Sequence, residues 1–215
     1  MRPREYDIDP ANANLIGFAS NVTGATFTLT ANDSGDSLAH QVSVKNDSAT
    51  DHSAKTLTFV GTDPDGFALT ETISAPGTSA TVETAGYYLT LTSVTVSATI
   101  GADTFDIGWV DEVSTRTIQV DDRSSVPVSV GITVTGTIDF TVQETLEALD
   151  WHLGANGKTS QNLDWHGIIT PVDLLAITAN AVGLGTIGAT AIRLIINSYT
   201  DTAELQMHVS QPHAD

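Results

Sequence analysis

Between Thr56 and Ile73 the chain reads TLTFVGTDPDGFALTETI, two runs of alternating apolar and polar residues joined by a turn sequence. Successive side chains of a strand leave opposite faces of a sheet, so this alternation demands a half-buried antiparallel hairpin. Leu57, Phe59, Phe67, Leu69 and Ile73 fall on one face and the intervening threonines on the other. At the corner, Pro64 presets φ, Asp65 is placed to bond its own backbone, and Gly66 takes a positive φ cheaply. A helix of period 3.6 would scatter these apolar residues around its circumference, so the segment excludes one.

The same pattern recurs along the chain. After residues 1–14, which read as an extended N-terminal arm carrying Arg2 and Arg4, strand candidates are 15–19, 25–30, 38–44, 56–60, 67–73, 79–83, 87–98 and 104–110. Turns such as Asn32-Asp33-Ser34-Gly35-Asp36 and Ala75-Pro76-Gly77 separate them. Short strands at this spacing predict a β-sandwich or jelly roll over 15–112. Alternation lapses at Asp111–Thr115 and resumes at 117–145, where Gly136-Thr137 marks a bend. Strands are again expected at 191–197 and 203–210, which makes 113–215 a second β-rich domain. The segment PVDLLAITANAV, 171–182, is open to two readings: Pro171 and Asp173 suit a first helical turn, and the run also fits a strand. The fold expected is therefore all-β, with two sandwich or jelly-roll-like domains and an N-terminal arm. The stretch Tyr87–Ala98 is long for an edge strand, and a neighbour's arm is a candidate to cover it.

Composition narrows the function. Aspartate and glutamate number 26 against 8 lysines and arginines, a formal net charge of −18. Such a field repels phosphate backbones and anionic headgroups, so neither nucleic acid nor a membrane surface is an expected partner. With no cysteine, thiolate metal sites, disulfides and cysteine nucleophiles are excluded. The opening MRPREYDIDPANA has no apolar core of a secretory signal as it stands. The most apolar region, 168–196, is broken by Pro171, Asp173, Arg193 and several glycines, so no membrane-spanning helix is expected.

Chemistry-bearing patterns are few. Leu149-Asp150-Trp151-His152 recurs as Leu163-Asp164-Trp165-His166 around a turn at Gly154–Lys158. The repeat has three readings: tryptophans plugging the end of a sandwich, an exposed interface patch built on Trp151, His152, Trp165 and His166, or a metal site using His152, His166, Asp150 and Asp164. The interface is the reading adopted, with the arm's Arg2 and Arg4 as further contact residues and no metal or other cofactor. Asp63, Asp65 and Glu71 lack the third ligand and the register of a calcium loop. No G-x-S-x-G elbow is present, and His40, His52, His208 and His213 stand isolated in sequence. Gly183, Gly185 and Gly188 form a G-x-G-x-x-G string without a basic residue or a βαβ unit. Catalysis is not expected.

The runs TLTFVGTDPDGFALTETI and LTSVTVSATIGADTFDIGW resemble a β-sandwich module of tailed-bacteriophage structural proteins. VPVSVGITVTGTIDFTVQET and TAIRLIINSYTDTAELQMHVSQ resemble a β-domain of small phage virion proteins, and together these runs cover about two-thirds of the chain. The resemblance implies a virion component made in the host cytoplasm, partnered by the major capsid protein or other virion proteins and by copies of itself, as a trimer or on a lattice. A capsid decoration or cement subunit is the leading expectation. A tail, connector or fibre-attachment component, or a receptor- or carbohydrate-binding module, is the alternative.

Overall fold

The computed structural model describes residues 4–8, 19–22, 26–121, 125–147, 163–168, 174–200 and 202–211. The protein is all-β, and the described residues contain no helix. It divides into two units, Asn12–Val113 and a second made of Met1–Ala11 with Ser114–Asp215.

In the first unit the strands are β2 (Ala19–Val22), β3 (Ala39–Asn46), β4 (Thr56–Thr62), β5 (Ala68–Ser74), β6 (Thr81–Glu83), β7 (Thr90–Val96) and β8 (Phe105–Ser114). One sheet runs β5-β4-β7; the other places β8, β3 and β6 in order, with β2 also on β8. Val42 and Val44 of β3 and Phe105, Ile107 and Trp109 of β8 share a buried cluster with Leu57 and Phe59 of β4 and Leu91, Val94 and Val96 of β7. The two sheets therefore close on one core, as a sandwich does. Each such side chain contributes about 1.5–3 kcal/mol on leaving water.

The hairpin that dominated the sequence is β4–β5, paired Leu57↔Ile73, Phe59↔Glu71 and Gly61↔Leu69. Leu57 and Phe59 are fully buried, and Leu69 and Ile73 pack against the cluster. Phe67 lies one residue before β5 and is half-buried. The turn closes through the Gly66 N–H on the Asp63 carbonyl (3.0 Å) and the Asp63 N–H on Phe67 (2.8 Å), with Gly66 at φ +86°. Its side-chain acceptor is Asp63, where sequence pointed to Asp65: Asp63 Oδ1 accepts the N–H groups of Asp65 (3.0 Å) and Phe67 (2.9 Å). At the start of the turn a carboxylate can reach both amides ahead of it, which a residue at the third position cannot. At Gly61 a Cβ would lie 2.0 Å from the Thr90 carbonyl oxygen, beside the register shift in the β4–β7 ladder.

The expected open edge at 87–98 is different in two ways. The strand itself is confined to 90–96, and its outer edge is met by its own chain. Thr26 bridges Thr95, the Phe27 N–H bonds Val94 (3.2 Å), and the Leu91 N–H bonds Asn32 (2.7 Å). Of 25–30, expected as a strand, residue 25 lies outside the described residues, and 26–30 form a bridge at Thr26 and no regular strand.

The second unit contains β1 (Arg4–Ile8), β9 (Ile118–Gln119), β10 (Ser129–Thr135), β11 (Ile138–Thr145), β12 (His166–Gly167), β13 (Ala181–Leu184), β14 (Ala191–Tyr199) and β15 (Glu204–Ser210). One sheet is ordered β1-β15-β10-β13; in another part β12, β11 and β14 lie side by side, with β9 on β14. The bend at Gly136-Thr137 thus carries the chain from one sheet to the next, although its alternation runs through unbroken. Inward residues Val130, Ile132, Phe140, Val142, Leu194, Ile196, Leu205 and Met207 are buried. Residues 4–8, expected in a free arm, are extended but paired antiparallel with β15, Arg4 opposite Val209 and Ile8 opposite Leu205. Of 171–182, residues 171–173 lie outside the described residues, and from Leu174 to Asn180 the chain is neither helix nor regular strand. Leu174 and Ile177 instead bond backbone to backbone with Val142 and Phe140 of β11, which gives those groups partners that a single helical turn would leave open.

Candidate functional site

Trp165 and His166 sit where the chain rejoins β11. Gly167 pairs with Gln143 and His166 with Glu144, while across β11 Gln143 stands opposite Arg193 of β14. The Arg193 Nε–H donates to Gln143 Oε1 (2.8 Å), and its guanidinium carbon lies 4.3 Å from the centre of the Trp165 ring. Leu163 and Ile168 are buried on either side and anchor the segment, leaving Trp165 half-buried and His166 exposed. A cation over an indole at a half-exposed site contributes about 0.5–1 kcal/mol. One indole face is thus held by the chain's own arginine, and the patch presents an amide, a guanidinium and an indole edge together, while His166, paired with Glu144, belongs to the opposite face of the sheet.

Trp151, His152 and Arg2 lie outside the described residues, as does Asp150. Arg4 has its backbone in β1. Asp164 is exposed, and its N–H donates to Glu147 Oε2 (3.2 Å). Among the described residues no group of three or more histidines or carboxylates is arranged to hold a metal ion.

Two histidines that stand isolated in sequence are in fact partnered. Ser34 Oγ donates to Asp36 Oδ1 (2.5 Å), Asp36 Oδ2 faces His40 Nε2 (2.8 Å), and His40 Nδ1 donates to the Val110 carbonyl (2.7 Å). The residue types are those of a serine hydrolase, but the order is wrong. The serine hydroxyl bonds the carboxylate, and both imidazole nitrogens are occupied, so the imidazole is not placed to act as the base of a serine nucleophile. Burial pushes the Asp36 carboxyl up, but the bond and charge of His40, the Ser34 hydroxyl and the Leu38 N–H outweigh it and hold the group below the usual carboxylate range. His52 is likewise fixed: Lys55 Nζ donates to Nδ1 (2.8 Å) and Nε2 donates to Asp103 (2.9 Å), with Phe105 edge-on at 5.4 Å. The Thr50 hydroxyl foremost, then His52 and Ser48, hold the Asp103 carboxyl low against burial.

Other acids clamp loops. Glu71, weighed as a calcium ligand, accepts the N–H groups of Ala85 (2.8 Å) and Gly86 (2.9 Å). Glu144 accepts the Thr186 N–H (2.7 Å) and its hydroxyl (2.5 Å). The glycine string serves the same clamp, since a Cβ on Gly185 would lie 2.7 Å from Glu144 Oε2 and 2.5 Å from Val128. The Tyr88 hydroxyl is buried without a partner among the described residues, and burial first, then the charge of Glu71, pushes its pKa far up. These pairings leave no mark in the sequence because folding joins the partners: His52 and Asp103 are 51 residues apart.

The outward face of β5-β4-β7 has a different character. It carries Thr56, Thr58, Val60 and Thr62 of β4, flanked by Thr70, Thr72 and Ser74 of β5 and by Thr90, Ser93 and Thr95 of β7. Thr58 and Thr72 share a hydrogen bond (3.1 Å), as do Thr62 and Thr90 (2.7 Å). Glu71 is the one charged residue in these three strands, and it turns inward to its loop. The result is a charge-free wall of methyl and hydroxyl groups on a chain of net charge −18.

Compared with protein-family models the chain matches none, and no curated protein matches it significantly.

Proposed function

We propose that the protein is a virion structural protein of a tailed bacteriophage, a decoration or cement subunit that braces the shell of the head. The observation that carries this reading is the threonine wall of β5-β4-β7. On so acidic a chain, a sheet face without charge is where another protein surface can approach without desolvating carboxylates. The clamped acids and histidines support it as well, since groups fixed in loops hold shape and are not poised for proton transfer. The resemblance of the β4–β5 hairpin to phage sandwich modules points the same way. No reaction and no cofactor is part of this role. Its partners are the major capsid protein, other virion proteins and further copies of the chain, and its place is the assembled particle.

The test is the copy number and position of the chain in purified particles, by quantitative mass spectrometry and electron microscopy. Hundreds of copies spread over the head fit the proposal. A single small ring at the tail or neck assigns a tail, connector or fibre-attachment role instead, and absence from the particle overturns both. The Trp165, Arg193 and Gln143 patch favours a second reading, a receptor- or carbohydrate-binding module, which glycan binding abolished by Trp165→Ala would establish.

A further inference from the structure

The second unit is completed by a strand that reaches it from far away in sequence. β1 closes the edge of β15, yet residues 12–113, an entire folded unit, lie between β1 and the rest of the unit it joins. Leu205, Met207 and Val209 of β15 are buried, and the register sets Ile8, Tyr6 and Arg4 opposite them. The edge of β15 therefore needs a covering strand, but nothing in the ladder specifies which copy supplies it. Among the described residues β1 pairs with β15 alone, so exchange between copies breaks one ladder and rebuilds an identical one. Ten residues separate Ile8 from Ala19 and span up to about 33 Å when extended, enough to reach a neighbour.

Charge does not set the pairing: Arg4–Ile8 carries one cation against Glu5 and Asp7, and the ladder is held by backbone bonds, which form whatever the surface charge. From these observations we infer that copies of this chain link by N-terminal strand exchange, β1 of one copy adding to β15 of the next. This deepens the assembly role proposed above and rests on it for biological purpose, but the exchange itself is a property of the purified protein.

The chain's lack of cysteine makes the test direct. Glu5 stands opposite His208, and facing positions on antiparallel strands lie within disulfide range. Glu5→Cys protein is mixed with His208→Cys protein at high concentration, oxidised, and mapped by mass spectrometry of the linked peptides. Exchange predicts disulfides joining position 5 of one chain to position 208 of another at least about tenfold above a control mixture of Glu5→Cys with Ala102→Cys, an exposed loop position, because pairing raises the effective concentration. It also predicts multimers in the sedimentation of the unaltered protein. If the mixture gives no more link than the control, while a double Glu5→Cys, His208→Cys chain closes its disulfide within itself, the inference is overturned. Asp7 opposite Gln206 supplies a second pair should the first variants fail to fold. Links in solution without the protein in any particle would leave the exchange standing and remove the virion role; the reverse result would do the opposite.

Discussion

Replacing Asp63 by alanine should unfold the first unit at much lower denaturant. The carboxylate is fully buried and accepts two backbone N–H groups, at 3.0 and 2.9 Å, inside the turn that sets the β4–β5 register. A hydrogen bond to a charged group contributes roughly 1.5–3 kcal/mol, and both donors belong to half-buried residues that water can partly serve once the acceptor is gone. The expected loss is about 3 kcal/mol. With a urea slope of about 1.5 kcal/mol/M for a unit of this size, the midpoint falls by about 2 M. Trp109 lies in the core of this unit, so its fluorescence in a Trp151→Phe, Trp165→Phe background reports that transition alone. Asp63→Asn keeps Oδ1 as an acceptor and should lose about 1 kcal/mol, and Asp65→Ala less than that. A loss under about 0.5 kcal/mol for Asp63→Ala, or a larger loss at Asp65 than at Asp63, would refute the account of the turn.

Asp36→Asn should destabilise the first unit by about 2 kcal/mol near pH 7. Because the folded Asp36 carboxyl titrates below its unfolded value, its contribution is complete above the unfolded pKa of about 4 and disappears as pH falls through the folded pKa; urea midpoints of parent and variant should therefore converge in acid, once the folded carboxyl is protonated as well. Gly61→Ala places a methyl 2.0 Å from the Thr90 carbonyl and forces β4 and β7 apart, at a cost of roughly 2–4 kcal/mol in chemical denaturation. Arg193→Gln should raise the exposure of Trp165 to acrylamide quenching while lowering stability by less than about 1 kcal/mol; no change in quenching would mean that the guanidinium does not shield the ring.

Period-two alternation makes most of the strands legible, because one buried face writes the same signature in any sandwich. β3, β4, β5, β11, β14 and β15 lie where alternation places them, while β8 runs on through Ser114, past the point at Asp111 where alternation lapses. Alternation is blind, however, to which sheet a strand joins. Val128 to Val142 keeps its period through Gly136, yet β10 and β11 belong to different sheets. It is also silent on where an extended segment ends up: Arg4–Ile8 reads as a polar arm because its partner, β15, is about two hundred residues away. At the candidate patch, sequence does not show that His166 falls on the other face, and it singles out Trp165 but not Arg193 or Gln143. Those two read as ordinary outward polar residues of strands, and only the β11–β14 register sets them side by side. The His52–Asp103 pair is hidden for the same reason, its members being brought together only by the fold. Asp36 and His40 are just four residues apart, but a turn entering a strand has no fixed periodicity to mark such a spacing.

The distribution of charge ties the two units to one role. A protein at −18 that needed only solubility could carry its acids on every outward strand position. Instead the three strands of β5-β4-β7 direct a single acid inward and show threonine, serine and valine outward. Threonine is a strong strand former, so propensity favours it there, but propensity alone does not exclude the lysine or glutamate that commonly guards an exposed sheet. A face so cleared of charge has little to lose on being covered, since its hydroxyls already bond one another across the strands. In the role proposed, net charge opposes unplanned contact between free copies, while this wall lets an intended partner approach without desolvating a carboxylate.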